Sequence, residues 1–171
     1  MILGMSLPTF TTVHVIISLI GIITGFAVLV GMLQGRLPAG MTALFMVTTV
    51  LTNVTGFMFP RTVVTPAQIV GVISLVVLVI AILALYVFRL RGTSRWIYVV
   101  TALLSLYLNV FVLVVQSFQK LSFLHPLAPT QSEPPFLIAQ VLVLVFFIVM
   151  GFLAIRRFHP MADTMPRSRM V

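Results

Sequence analysis

Uninterrupted apolar runs of about 20 residues, the length an α-helix needs to cross the hydrocarbon core of a bilayer, recur from near residue 10 to near residue 155. Hydrocarbon offers no partner to an unpaired amide or carbonyl, so each run must satisfy its backbone internally, as a helix. Turn chemistry divides the pattern into five spans at about residues 10–32, 39–59, 66–88, 96–118 and 134–155. The sequence therefore predicts an all-α membrane protein. It should be a bundle of five transmembrane helices in a single domain over residues 1–155, with a basic cytoplasmic tail at 156–171.

Composition supports this class. Of 171 residues, 61% are hydrophobic and only 7% charged, whereas soluble domains carry roughly a quarter charged residues. Ten Lys and Arg against two acids give a net charge of +8, which in a soluble protein would suggest nucleic acid. Here the cations sit at span ends, where topology and anionic headgroups account for them, so the expected partner is the lipid bilayer and not nucleic acid. The absence of cysteine excludes disulfides, thiolate metal sites, iron–sulfur clusters and cysteine nucleophiles. The opening MILGMSLPTF has no basic residue before the first apolar run, which speaks against a cleaved secretory signal.

Charge also predicts orientation. With the N-terminus outside, the inner segments hold Arg36, Arg89, Arg91, Arg95, Arg156, Arg157, Arg167 and Arg169, eight of the ten cations, and only Arg61 and Lys120 lie outside. The positive-inside rule then chooses an outer N-terminus and a cytoplasmic C-terminus, as expected in a bacterial inner (plasma) membrane.

Polar residues inside the spans are few. In the first, His14, Ser18, Gly21 and Gly25 share one helical face. Gly21 and Gly25 form a GxxxG, either a dimer seam or a groove for a neighbouring helix of the same chain. The second carries Thr42, Thr49, Asn53 and Gly56 on one face, and Thr65-Pro66 is a fitting start for the third. After Gln68 the third span is almost purely aliphatic and reads as lipid-facing or scaffold. Arg89, Arg91 and Arg95 beside Trp96 have the pattern of a cytoplasmic anchor. The fourth span holds the longest polar stripe, Tyr98, Thr101, Ser105, Asn109 and Gln116, which must point inward. Ser132 is the expected N-cap of the fifth, with Glu133 in its first turn, and Gln140 follows on the same face as Glu133 and Gly151.

The predicted orientation gathers these groups. At about 1.5 Å per residue, His14 lies roughly 6 Å, Asn53 and Gln140 roughly 9 Å and Asn109 roughly 14 Å below the outer ends of their spans. Gln116 sits above Asn109 on the fourth span, and Arg61, Lys120, His125 and Glu133 crown them in the outer loops. Two readings follow: a polar pocket in the outer leaflet, or hydrogen bonds that only join helices.

The chemistry such a pocket could support is narrow. Bis-histidine haem needs two axial ligands and only His14 lies within a span, while the three scattered histidines lack metal-ligand spacing. There is no intramembrane carboxylate for proton coupling and no filter motif for a channel. No nucleophile–base pair can be named, so an enzyme is not expected, and no cofactor is specified. What remains is recognition of a lipophilic small molecule, such as a quinone or lipid, by His14, Asn53, Asn109, Gln116, Gln140, Arg61, Lys120 and Glu133. The alternative is a structural accessory subunit of a larger membrane complex, whose membrane protein partners would dock on the GxxxG face and the apolar third helix.

Overall fold

The computed structural model describes residues 2–60 and 65–159, and among them every regular element is helical. Helix α1 spans Leu7–Leu33, α2 Ala39–Phe57, α3 Pro66–Ile82, α4 Ser94–Lys120 and α5 Pro134–Arg157. A π-helical turn, Leu83–Val87, continues α3, and a 3₁₀ turn, His125–Leu127, lies between α4 and α5. Five helices are long and apolar enough to cross a membrane, α3 being counted together with its π turn.

The helix ends follow local chemistry, which moves several boundaries from where hydropathy alone puts them. α1 begins before residue 10 because Ser6 caps it, its Oγ accepting from the Thr9 amide at 3.3 Å, with Pro8 in the first turn where no amide is needed. It ends in a Schellman motif. The Arg36 amide bonds the Gly31 carbonyl at 2.8 Å and the Gly35 amide bonds Met32 at 3.0 Å, with Gly35 at φ +71°. Thr65 and Gln68 form a reciprocal capping box at the start of α3, as the Thr65-Pro66 pair predicts. The expected N-cap of α5 is corrected by one residue: Glu133, not Ser132, holds that position, and its side chain does not cap the helix.

α1 to α4 contact one another in a ring, α1 with α2, α2 with α3, α3 with α4 and α4 with α1, while α5 packs against α4 and α1. One end of the bundle carries the starts of α1, α3 and α5, and is called the Leu7 end. The opposite, Arg36 end carries the starts of α2 and α4.

Packing is uneven along the bundle. Toward the Arg36 end a continuous core of Val28, Met32, Phe45, Leu78, Ala81, Tyr98, Ala102, Leu106 and Phe158 is buried. Glycines of α1 make it dense. A Cβ on Gly25 would lie 2.5 Å from Leu106 Cδ1 and 2.9 Å from Phe45 Cε2, and one on Gly21 would meet Thr48 Oγ1 at 3.1 Å. The GxxxG face is thus filled by α2 and α4 of the same chain. Phe158 is fully buried and its carbonyl accepts from Arg95, so ordered structure runs past residue 155, where the basic tail was expected to begin. Residues 160–171 of that tail lie outside the described residues.

Away from the ring, α5 buries only the stripe Phe136, Gln140, Phe147 and Ala154, leaving Ile138, Leu142, Ile148 and Phe152 exposed. Such a surface is soluble only in hydrocarbon.

The dense half sets a test. Gly25→Val is expected to lower stability by about 1–3 kcal/mol through overpacking against Leu106 and Phe45. Gly40→Ala, where a Cβ meets nothing within 4 Å, should be neutral or stabilising by up to about 1 kcal/mol through helix propensity. Thermal unfolding of both variants in detergent, followed by circular dichroism, checks the contrast.

Candidate functional site

Toward the Leu7 end the core gives way to a cavity of about 550 Å³ enclosed by α1, α2, α3 and α4. It reaches the helix ends at Leu7, Phe59, Thr65 and Leu121 and descends to Ile22 and Ser74. Aliphatic side chains supply much of the wall, and a small set of polar groups is spaced among them, the usual make-up of a small-molecule site.

His14 stands on α1 and is held from α2. Its Nδ1 lies 2.7 Å from Thr55 Oγ1, and that hydroxyl is itself 2.7 Å from the Leu51 carbonyl oxygen. A 2.7 Å approach of oxygen to oxygen favours the Thr55 proton on Leu51, the usual bond of a helical threonine, and with it the His14 tautomer in which Nδ1 donates to Thr55. With one ring proton at Nδ1, Nε2 presents a lone pair. Phe59 packs edge-on against the ring at 5.3 Å, and Gly56 leaves room beside it, an added Cβ coming within 3.7 Å of Cε1.

Asn53 joins α2 to α3. Its Nδ2 donates to the Thr49 carbonyl at 2.8 Å and to Ser74 Oγ at 3.1 Å, which uses both amide protons and leaves Oδ1 as an acceptor beside Gly71. Among the described residues Asn109 of α4 makes only a long contact, Nδ2 to Thr49 Oγ1 at 3.4 Å. Two turns up its face, Gln116 Oε1 is buried with no partner among the described residues, as is Thr52 Oγ1. Lys120, in the last turn of α4, is exposed at the cavity's upper rim.

Of the residues singled out in the sequence, the structure brings His14, Asn53, Asn109, Gln116 and Lys120 to this one cavity. Gln140 is a correction. It lies at the expected level but on α5, where its Nε2 donates to the Phe111 carbonyl of α4 at 3.2 Å, away from the cavity. Glu133 is also outside: its carboxylate accepts from the Thr130 and Ser132 amides at 3.1 and 3.0 Å and from Thr130 Oγ1 at 2.9 Å. Desolvation opposes ionisation there, yet those bonds outweigh it and hold the carboxyl below its ordinary pKa. Arg61 lies outside the described residues.

Sequence reasoning missed the α3 wall. Gln68, Gly71 and Ser74 all line the cavity, so α3 is more than lipid-facing scaffold. Their three-residue spacing, interrupting an aliphatic run, was the available signal.

The His14–Thr55 bond can be tested directly. Thr55→Val leaves Nδ1 without its partner and is expected to destabilise the fold by about 0.6–1.7 kcal/mol, the range for single hydrogen bonds between membrane helices. Denaturant titration of wild type and variant measures it. Comparison with protein-family models, with curated proteins and with solved structures finds no match for this chain.

Proposed function

We propose that this polytopic membrane protein binds a lipophilic small molecule, of the quinone or lipid kind, in the cavity between α1, α2, α3 and α4. The observation that carries the reading is the cavity itself. A space of about 550 Å³, within the range of small-molecule sites, coincides with the level at which polar side chains of α1, α2 and α4 converge. Helices that met only to exchange hydrogen bonds would close on one another there. Instead Asn109 and Gln116 contribute little or nothing to helix pairing. The accessory-subunit reading loses one of its two docking surfaces, because Gly21 and Gly25 are covered by the chain's own α2 and α4.

The proposal includes an orientation. Arg36, Arg89, Arg91, Arg95, Arg156 and Arg157 belong to the Arg36 end, and Lys120 is the one Lys or Arg of the described residues at the Leu7 end. In a bacterial inner membrane this bias directs the Arg36 end to the cytoplasm and the cavity to the outer leaflet. A C-terminal alkaline phosphatase fusion is then expected to be inactive and a C-terminal green fluorescent fusion to be bright; the reverse pattern would overturn the orientation.

Asn109→Leu tests the binding. Since Asn109 has only its long contact to Thr49, the variant should unfold within about 1 kcal/mol of wild type, whereas a buried partner left unpaired costs about 1–3 kcal/mol. Mass spectrometry of the gently purified proteins should find a lipophile with wild type and its loss from the variant. A variant that is strongly destabilised, with no lipophile in either preparation, would return the polar groups to a purely structural role.

A further inference from the structure

Resting on that binding reading, we infer that the cavity selects a lipophile whose head group carries an O–H, a phenol or hydroquinone, over one that offers only carbonyl or ether oxygens. The ground is the direction of the hydrogen bonds already made. On α1, the Thr11 hydroxyl donates to the Leu7 carbonyl at 2.8 Å and the Ser18 hydroxyl to the His14 carbonyl at 2.7 Å. Both protons are spent within the helix, so these side chains turn only oxygen lone pairs outward. His14 has its ring proton on Thr55, and Nε2, with no partner among the described residues, is the nitrogen left for the cavity. Asn53 has both amide protons engaged and retains Oδ1.

Thus four side chains on the α1 and α2 side of the cavity, Thr11, His14, Ser18 and Asn53, can accept and have no proton left to give, while Thr52, whose buried hydroxyl has no partner among the described residues, is a donor on that side. Across from them, α4 offers two donors, the Gln116 amide and the Lys120 ammonium, beside one further unpaired acceptor, Gln116 Oε1. A head group with an O–H can therefore give its proton to this acceptor-rich side and take one from Thr52 or from α4. A hydroxyl does both with a single oxygen. A carbonyl-only ring can accept from Thr52 or α4 but leaves the lone pairs of His14 and Asn53 without a donor, and an anionic phosphate fares worse, facing four acceptors with Lys120 the one cation at the rim among the described residues. Site groups that expect a hydroxyl discriminate strongly against its absence, because they are left unpaired.

The experiment compares tritiated pentadecylphenol with its tritiated methyl ether, identical but for the donor, binding to the full chain in phosphatidylcholine nanodiscs with empty discs subtracted. Wild type is expected to bind the phenol about tenfold more tightly, the worth of one hydrogen bond to an otherwise unpaired acceptor. In His14→Phe, which keeps an aromatic ring against Phe59, the ratio should fall to within about twofold while the ether still binds. Equal binding of the two probes by wild type would overturn the donor preference and leave the binding reading standing. A preference that survives in His14→Phe would overturn the role given to His14, and failure of both probes to bind would overturn both readings. Nitrogen NMR of histidine-labelled wild type supplies a measure free of any substitution. The Nδ1-protonated tautomer should be present in the unliganded protein, with the Nε2 resonance moved by phenol and not by ether; an Nε2-protonated ring would refute the inference.

Discussion

In hydrocarbon a proton on oxygen or nitrogen must find an acceptor within the protein, and that constraint shapes this molecule at every scale. It forces the backbone into helices. It also sends the hydroxyls of Thr11, Ser18, Thr24, Thr42, Thr48 and Thr55 back to carbonyls one turn earlier in their own helices. A side chain that has given its proton away locally cannot donate across to a neighbouring helix, so inter-helix recognition falls to the few groups with protons to spare. His14 Nδ1 and Asn53 Nδ2 are two of these, and they tie α1 to α2 and α2 to α3. The lone pairs that Thr11 and Ser18 turn outward are thus a by-product of how threonine and serine are tolerated in a membrane helix.

The position of the cavity follows from where small residues stop. In the Arg36 half, Gly21, Gly25 and Gly31 of α1, Ala81 and Ala84 beside α4, and Ala102 let backbones approach until side chains interlock. In the Leu7 half the corresponding levels of α1 hold Thr11, His14 and Ser18. Gly56 and Gly71 do not undo the separation, because the space beside them is taken by the His14 ring and the Phe57 ring. Bulk at the helix contacts and its absence between them leave a void with polar edges.

The five spans and the level of each polar residue could be read from apolar run length and a fixed rise per residue, and the turn signals Gly35, Thr65 and Pro66 act as their chemistry implies. The rotation of α4 was readable too, since Asn109 and Gln116 lie on its one polar stripe. Gln140 shows the limit. It stands level with Phe111 of α4, but position along a helix does not tell which side of α4 that helix occupies, and α5 is apolar nearly all round, so its sequence has no face that announces its place outside the ring. Gln68, Gly71 and Ser74 escaped notice because three weakly polar positions barely modulate the hydropathy of α3. The pairing of His14 with Thr55 lay beyond the sequence: the bond of Thr55 to the carbonyl one turn back is a matter of spacing, but which residue of another helix its oxygen faces is not.

A void survives in a bundle only if its helices are prevented from collapsing into it, and the opposite end supplies that resistance. There the chain holds strained geometry: α3 closes in a π turn, and Arg89 and Leu90 sit at φ 51° and 57°, left-handed positions that cost non-glycine residues about 1–2 kcal/mol each. The turn is fixed by the Leu90 amide on the Ala84 carbonyl at 3.1 Å and the Ser94 hydroxyl on the Arg91 carbonyl at 2.7 Å. Such strain persists where surrounding contacts over-determine it, and the neighbouring Ala81, Ala84 and Tyr98 are fully or almost fully buried. With α3 and α4 clamped in this way and α1 and α2 locked through Gly25 and Phe45, closing the cavity would mean bending helices against a dense core. Moving α3 inward alone would break the Asn53–Ser74 bond and leave a buried amide proton unpaired. The packed half therefore preorganises the hollow one, which lowers the ordering that a ligand would otherwise have to impose.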